Sequence, residues 1–422
     1  MLKKHEFKIF TLTRVVAIGV RPLILYVCLV LPNPELGLNF AILLSAVASS
    51  FLVLGNQNYR HVYEYFVGDT GKRRGLGGRD VFNNYLEGTV LHSIIFLPAA
   101  ALLCWVWVAS FELTIMSAFF VLLEKYYDED QRIAIYQKRY LDWSINFCFR
   151  SVGPSLILLG AMFIWQDYLL FVYTISAAIF FVLYLKLFRN KFAGLLWCWL
   201  ITFFGQIGIW WTCLRRYGKK YRQEYAFAQI WVFLTGNFAL LDRFIVVRLE
   251  PASLAEYLFI SNLANLIPLL HGLIYFTKIR PQLVDRSGPI LEPIFSRRNL
   301  AIPLGLTFVF PIGIFITEFF EILNISLEYG TVVAIGAFYG LFAVGLVLTE
   351  LAFWRIQRAW LLGLEITSIF VIALMAIILY QFSILSVTWI PWIFLAALLF
   401  KYSGTMFFLI KAQNGLWFNL SD

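Results

Sequence analysis

Charged residues are what this sequence lacks most. Asp, Glu, Lys and Arg make up 14 % of its 422 residues, whereas hydrophobic residues make up 61 %. A soluble domain is about a quarter charged and about half apolar. Because no ordinary core has room for this apolar excess, the composition excludes a soluble protein and predicts one embedded in a lipid bilayer.

Cysteine is scarce as well, and the spacing of the cysteines matches no disulfide or metal-binding motif. No two cysteines form a CxxC pair, and none lies in a cluster with histidine, which argues against a disulfide framework and a zinc site. The sequence therefore predicts no metal and no cofactor. The five cysteines are Cys28, Cys104, Cys148, Cys198 and Cys213.

Long polar segments are also missing, and most of the chain consists of apolar stretches. About 20 mainly apolar residues are needed for a helix to cross the hydrocarbon layer. Such stretches predict about twelve transmembrane helices in an all-α polytopic membrane protein, with outer loops of only a few residues. The stretches are 8–31, 37–58, 85–109, 111–127, 144–164, 167–187, 224–248, 253–277, 299–323, 329–354, 359–381 and 384–410.

The distribution of Lys and Arg predicts the orientation. The net charge is +9, and with both termini in the cytoplasm almost all loop cations face inward, Arg248 alone facing outward. Cytoplasmic loops of membrane proteins carry such an excess of Lys and Arg. The positive charge is therefore explained by topology, and a nucleic-acid partner is discounted.

A further apolar stretch, 193–213, is not counted among the twelve spans. If it crossed the bilayer, the cations from Arg215 to Arg222 would face outward. Its tryptophans and cationic flanks are typical of a helix lying at the cytoplasmic leaflet. We therefore expect two pseudo-symmetric six-helix lobes, at 1–190 and 224–422, joined by an interfacial linker helix at 191–223.

Short motifs in both halves resemble those of one transporter family. The Asp-Arg pair of span seven, Asp242 and Arg243, with the turn that follows it, is similar to span seven of polysaccharide transporters. These are the O-antigen-type lipid-linked oligosaccharide flippases of the multidrug/oligosaccharidyl-lipid/polysaccharide exporter superfamily. The residues that carry the resemblance are Leu240–Val247, Glu256–Ile260, Glu35–Phe40, Gln131, Arg132, Tyr140 and Arg150.

The resemblance implies a function and a location. It implies that the protein flips a lipid pyrophosphate-linked oligosaccharide from the cytoplasmic to the outer leaflet of the inner membrane by alternating access. The expected partners are this substrate, membrane lipids, a polysaccharide polymerase and a chain-length regulator. Coupling to a proton or sodium gradient follows by analogy only, with Glu350 and Glu365 as the candidate residues.

Arginines inside the spans are the candidate phosphate ligands. A charge at bilayer depth costs about 2.5–3.5 kcal/mol on insertion scales, so such residues usually face a cavity or the bundle interior. Arginine suits pyrophosphate because its planar fork binds phosphate oxygens bidentately. We expect Arg21, Arg14 and Arg60 to hold the pyrophosphate. Arg14, Arg60 and Arg150 lie near inner span ends, where snorkelling to the interface is the alternative.

Other polar residues in the spans are assigned to the glycan or to structure. Asn262 and Asn265 form a polar stripe on span eight that suits glycan binding, although such residues also join helices. Arg243 is a substrate-binding candidate, whereas Asp242 and Arg150 are candidates for a gating or structural role. Adjacent residues on a helix point about 100° apart, so Asp242 and Arg243 cannot easily satisfy each other.

One enzyme class remains as an alternative to a transporter. Membrane-embedded O-acyltransferases, which modify glycans, use an intramembrane histidine, and His271 in span eight is the candidate here. No second catalytic residue accompanies it in the sequence. A transporter that is not an enzyme is therefore the preferred prediction.

Replacing Arg21 with Ala should abolish transport without lowering the amount of folded protein. Arg21 lies too deep in span one to reach the interface, so its charge is expected to serve the substrate. The measurement is the leaflet position of the lipid-linked oligosaccharide in inner-membrane vesicles of known orientation, read with a glycan-binding reagent. Full activity of the Arg21→Ala variant would contradict the assignment.

Overall fold

The computed structural model describes most of the chain. The described residues are 9, 12–13, 16, 19–20, 22–28, 34–54, 78–136, 139–165, 168–187, 214–215, 218–219, 226–238, 240–274, 291–321, 326–356 and 358–413. Of the predicted features, Arg14, Arg21, Arg60 and the whole of 193–213 lie outside them.

The described residues are almost entirely helical and contain no strand. In residue order, the helices before position 240 are α1 Pro34–Val53, α2 Gly78–Val108, α3 Phe111–Tyr136, α4 Tyr140–Phe147, α5 Gly153–Ala161, α6 Leu169–Leu187 and α7 Ala226–Phe238. A π-helical turn, Cys148–Val152, joins α4 to α5. The later helices are α8 Leu241–Leu249, α9 Leu254–Ala264, α10 Leu266–Ile274, α11 Leu291–Phe295, α12 Arg297–Phe319, α13 Tyr329–Arg355, α14 Arg358–Gln381 and α15 Ile390–Gln413.

The predicted fold class, an all-α polytopic membrane protein, is confirmed. Among the described residues, nine helical segments are long and apolar enough to cross a membrane, and Gln229–Phe238 with Leu241–Leu249 would make a tenth. Helix α3 is not one of them because its second half carries charges. The count of about twelve and the two six-helix lobes stay predictions.

The surface of these helices suits a lipid environment. On α12, large apolar side chains such as Phe308, Val309 and Phe319 are at least 60 % exposed. The chain's mean hydropathy is +0.77. A water-soluble monomer rarely exposes so much contiguous apolar surface, whereas lipid tails solvate it without cost.

The chain divides into two compact units, one of residues 1–24 and 42–237, the other of residues 25–41 and 238–422. In the first unit, α2 packs against α3, α3 against α4, and α5 against α6. Gln229 on α7 donates to the Val53 carbonyl at 2.9 Å. Ser49 donates to Asn237 Oδ1 at 2.5 Å. These two bonds attach α7 to α1.

Helix α13 is the centre of the second unit. It packs against α12, α15 and α10. Its glycines allow this close approach: a Cβ at position 336 would overlap the Phe310 ring, and one at Gly340 would overlap the Thr307 side chain. Small residues at helix contacts are the usual means by which membrane helices approach closely.

The connection from α12 to α13 is held by a carboxylate. Glu256, in the first turn of α9, accepts hydrogen bonds from the Ser326 backbone N–H at 2.6 Å, the Ser326 hydroxyl at 2.5 Å and the Leu327 backbone N–H at 3.0 Å. Glu256 belongs to the turn that carries the family resemblance, and here it binds the residues that precede α13.

Replacing Gly340 with Ala should destabilise the second unit. The added methyl group meets Thr307 on α12, and overpacking of this kind costs about 1–3 kcal/mol. Gly313→Ala is the matched control, since a Cβ there meets nothing within 4 Å. We expect a lower midpoint of thermal unfolding in detergent for Gly340→Ala only. Equal midpoints for the two variants would contradict the packing of α12 on α13.

Candidate functional site

The Asp242–Arg243 pair lies inside the second unit, at the start of α8. Their residues are 5 % and 7 % exposed. The Tyr257 hydroxyl donates to Asp242 Oδ2 at 2.9 Å, and the backbone N–H of Arg243 donates to Asp242 Oδ1 at 2.7 Å. Arg243 Nη2 donates to the Tyr339 hydroxyl at 3.4 Å. The pair therefore links α8 to α9 and α13.

This arrangement follows from the helix geometry of neighbouring residues. Because Asp242 and Arg243 point in different directions, their side chains use different tyrosines. The two opposite charges stay close together and away from lipid, which lowers the cost of burying either one. In the described part of the chain, Arg243 Nε has no hydrogen-bond partner. The guanidinium therefore retains a donor for a further acceptor.

The predicted glycan-binding asparagines lie at a break in span eight. Asn262 donates to the Leu258 carbonyl of its own helix at 2.8 Å. Asn265 ends α9, and α10 begins at the next residue. Pro268 accounts for the break, since it lacks the N–H that a continuous helix would bond to residue 264. Both asparagines are half-buried, and their role in glycan binding stays a prediction.

The ion-coupling candidates are both buried in the second unit. Glu350 lies on α13 and is 8 % exposed. Glu365 on α14 forms an ion pair with Lys401 on α15, with Nζ and Oε1 2.8 Å apart. The Lys401 ammonium also lies 5.2 Å from the centroid of the Phe238 ring. Glu365 is thus part of a buried charge pair that joins two helices.

Arg150 forms an ion pair with a carboxylate of the first unit. It lies on the π-helical turn, where its Nη2 pairs with Glu124 on α3. Its Nη1 donates to Gln131 Oε1 at 3.0 Å. The gating or structural role of Arg150 stays a prediction.

A buried polar cluster continues from Gln131. Gln131 Nε2 donates to Asn146 Oδ1 at 2.7 Å. Asn146 Nδ2 lies 3.1 Å from Asp130 Oδ2 and 3.0 Å from the Tyr184 hydroxyl, which itself donates to Asp130. The sequence prediction missed Asn146, Asp130 and Tyr184. The one available signal was the charged second half of α3 next to apolar spans.

A cavity of about 180 Å³ lies beside the Arg150–Glu124 pair. Its polar wall consists of these two residues and Tyr173, and α1 supplies most of its apolar wall. The apolar lining residues are Leu43, Leu44, Val47, Ala48, Phe51 and Phe120. The whole cavity belongs to the first unit.

The histidine of the alternative enzyme is completely enclosed. His271 on α10 has no exposed surface. In this conformation its ring offers no access to an acyl donor, and the acyltransferase alternative gains no support. Within the described residues, no group of three His, Cys, Asp or Glu side chains is placed to hold a metal ion.

Comparison with protein-family models, curated proteins and solved structures finds no match to this chain.

The Glu365–Lys401 pair offers a test of its role. Lys401→Met removes the ammonium group that pairs with a buried carboxylate, a change that costs about 3–5 kcal/mol. The double variant Lys401→Met/Glu365→Leu replaces both charges with apolar groups and should be near the parent in stability. Thermal unfolding in detergent measures both. If the double variant were as unstable as the single variant, the two charges would stabilise the fold through contacts other than those with each other.

Proposed function

We propose that this protein is a flippase that moves a lipid pyrophosphate-linked oligosaccharide from the cytoplasmic to the outer leaflet. The location is the inner membrane, with both termini in the cytoplasm. The observation that carries the proposal is the enclosed Asp242–Arg243 pair, because it lies in the segment that resembles the flippase family. Because the pair is buried inside the protein, we infer that it does more than place a charge at the membrane interface.

The chemistry of Arg243 suits an anionic lipid. Its charge is held in the protein by Asp242 and Tyr339, and its Nε remains available to an incoming acceptor. A phosphate oxygen is the kind of acceptor that a guanidinium binds most strongly. Arg14, Arg21 and Arg60 stay candidate phosphate ligands that the sequence predicts.

The polar asparagines complete the proposed binding surface. Asn262 and Asn265 lie within the membrane-length helical segment Pro251–Gly272, where polar side chains can hydrogen-bond a ligand or a neighbouring helix. Sugar hydroxyls would meet these amides. The proposed partners in the pathway are the enzymes that polymerise the flipped unit and regulate its chain length.

Replacing Arg243 with Lys should lower flipping by about tenfold or more. Lysine keeps the positive charge beside Asp242 but loses the planar fork, and one charge-assisted hydrogen bond is worth about 1.5–3 kcal/mol. Arg248→Lys is the matched control, since Arg248 lies exposed on the same helix. The measurement is the fraction of lipid-linked oligosaccharide in each leaflet of oriented inner-membrane vesicles, at equal amounts of folded protein.

Two outcomes would contradict the proposal. Equal flipping by Arg243→Lys and Arg248→Lys would remove the role of Arg243. Normal leaflet distribution in cells that lack the protein would remove the flippase function itself. If the glycan in those cells instead lacked an acyl group, the enzyme alternative would be favoured.

A further inference from the structure

The apolar wall of the cavity beside Arg150 is one face of α1. Four of its residues follow the i, i+3, i+4, i+7 spacing that places side chains on the same side of a helix, and each of them is half-buried. They are Leu44, Val47, Ala48 and Phe51. This face of α1 therefore borders the cavity along about two helical turns.

The remaining wall carries the polar groups. Phe120 and Glu124 lie one helical turn apart on α3, and the Phe120 ring stacks on the Tyr173 ring with the two centroids 4.9 Å apart. Arg150 pairs with Glu124. Among the lining residues, an apolar region thus adjoins one charged pair, and a mostly apolar wall with a few polar groups is typical of pockets for small molecules.

The charged pair is accessible from the cavity. The side chains of Arg150 and Glu124 are 17 % and 15 % exposed, whereas those of the Lys401–Glu365 pair are 6 % and 3 % exposed. A guanidinium has five N–H donors. Within the described residues, the contacts of Arg150 to Glu124 and Gln131 each use one terminal nitrogen, so the guanidinium retains donors for a further acceptor.

The charge of the wall disfavours an ionic ligand. Arg150 and Glu124 together carry no net charge, so an anion that approaches the guanidinium also meets the carboxylate, and a cation that approaches the carboxylate also meets the guanidinium. An ionic ligand would in addition leave water for a mostly apolar wall. A neutral hydroxyl avoids both penalties, because its oxygen accepts from Arg150 while its proton is donated to Glu124.

The volume of the cavity suits a molecule with one ring. The cavity measures about 180 Å³, and an apolar protein cavity of about 150 Å³ is known to hold benzene. The space is therefore sufficient for a six-membered ring with one small polar substituent. A whole oligosaccharide is too large for it, so the ligand of this cavity differs from the proposed transport substrate.

We propose that this cavity is a binding site for a small uncharged alcohol with an aromatic ring. The ring packs against the apolar face of α1, and the hydroxyl joins the Arg150–Glu124 pair. Arg150 is also held by Gln131, and it lies on a π-helical turn, a feature that often occurs at functional sites. The lining residues all belong to the first unit, and the proposal does not depend on the flippase function.

The test is a titration of the purified full-length protein in detergent with para-fluorobenzyl alcohol, followed by fluorine NMR. Partition into detergent rises in proportion to concentration, whereas binding to a site saturates, and we expect a saturable component for the alcohol. para-Fluorotoluene, which has the ring without the hydroxyl, should bind about tenfold more weakly because it lacks the hydrogen bonds to the charged groups. para-Fluorobenzoate and para-fluorobenzylamine should show no saturable component.

Two variants and a control connect the binding to the cavity. Ala48→Phe places a ring on the cavity face of α1 and should abolish the saturable component. Ala99→Phe, the matched control, makes the same substitution at an exposed position of α2 and should bind as the parent does. Arg150→Lys keeps a cation beside Glu124 but has fewer donors, so it should reduce the preference for the alcohol over para-fluorotoluene.

The outcomes decide the proposal at equal amounts of folded protein. Partition without saturation in the parent, or parent-like binding by Ala48→Phe, would overturn the site. An unchanged preference for the alcohol in Arg150→Lys, or tighter binding of either charged probe in the parent, would overturn the ligand class. Because no transport substrate is present, these results are independent of whether the protein flips a lipid-linked oligosaccharide.

Discussion

The cost of placing charge in hydrocarbon governs this structure. Each buried charge that the structure describes in detail has a partner inside its own unit: Arg150 with Glu124, Lys401 with Glu365, and Asp242 with Tyr257. Lipid offers no hydrogen bonds, so helices that carry such residues must pack with the partners facing each other. The polar residues thus determine which helices are neighbours, and the apolar residues fill the space that remains.

The two units meet this constraint in different ways. In the second, charges are enclosed by close helix packing, which Gly336 and Gly340 on α13 make feasible. In the first, the polar residues of α3 and α4 form an extended hydrogen-bonded cluster, and a cavity borders one end of it. One unit therefore encloses its charges by helix packing, whereas the other has a charged pair on the wall of a cavity.

Composition and the length of the apolar stretches together predicted the fold class, because the apolar excess has no explanation in water and stretches of about 20 residues fit membrane-spanning helices. The burial of Asp242 and Arg243 followed from the cost of charge in a span. The Asn146 cluster did not follow, since Asp130 and Tyr184 lie 54 residues apart in sequence and no local pattern pairs them. The break at Asn265 was readable from Pro268, whereas the enclosure of Glu365 by Lys401 required the packing of α14 on α15.

The π-helical turn that carries Arg150 has a consequence for tracing the history of this chain. A turn closed by i→i+5 bonds holds one residue more than an α-helical turn of the same rise. A relative without that extra residue would present its arginine with a different separation from the glutamine on α3. The sequences of the two proteins would then differ by one residue inside a continuous helix.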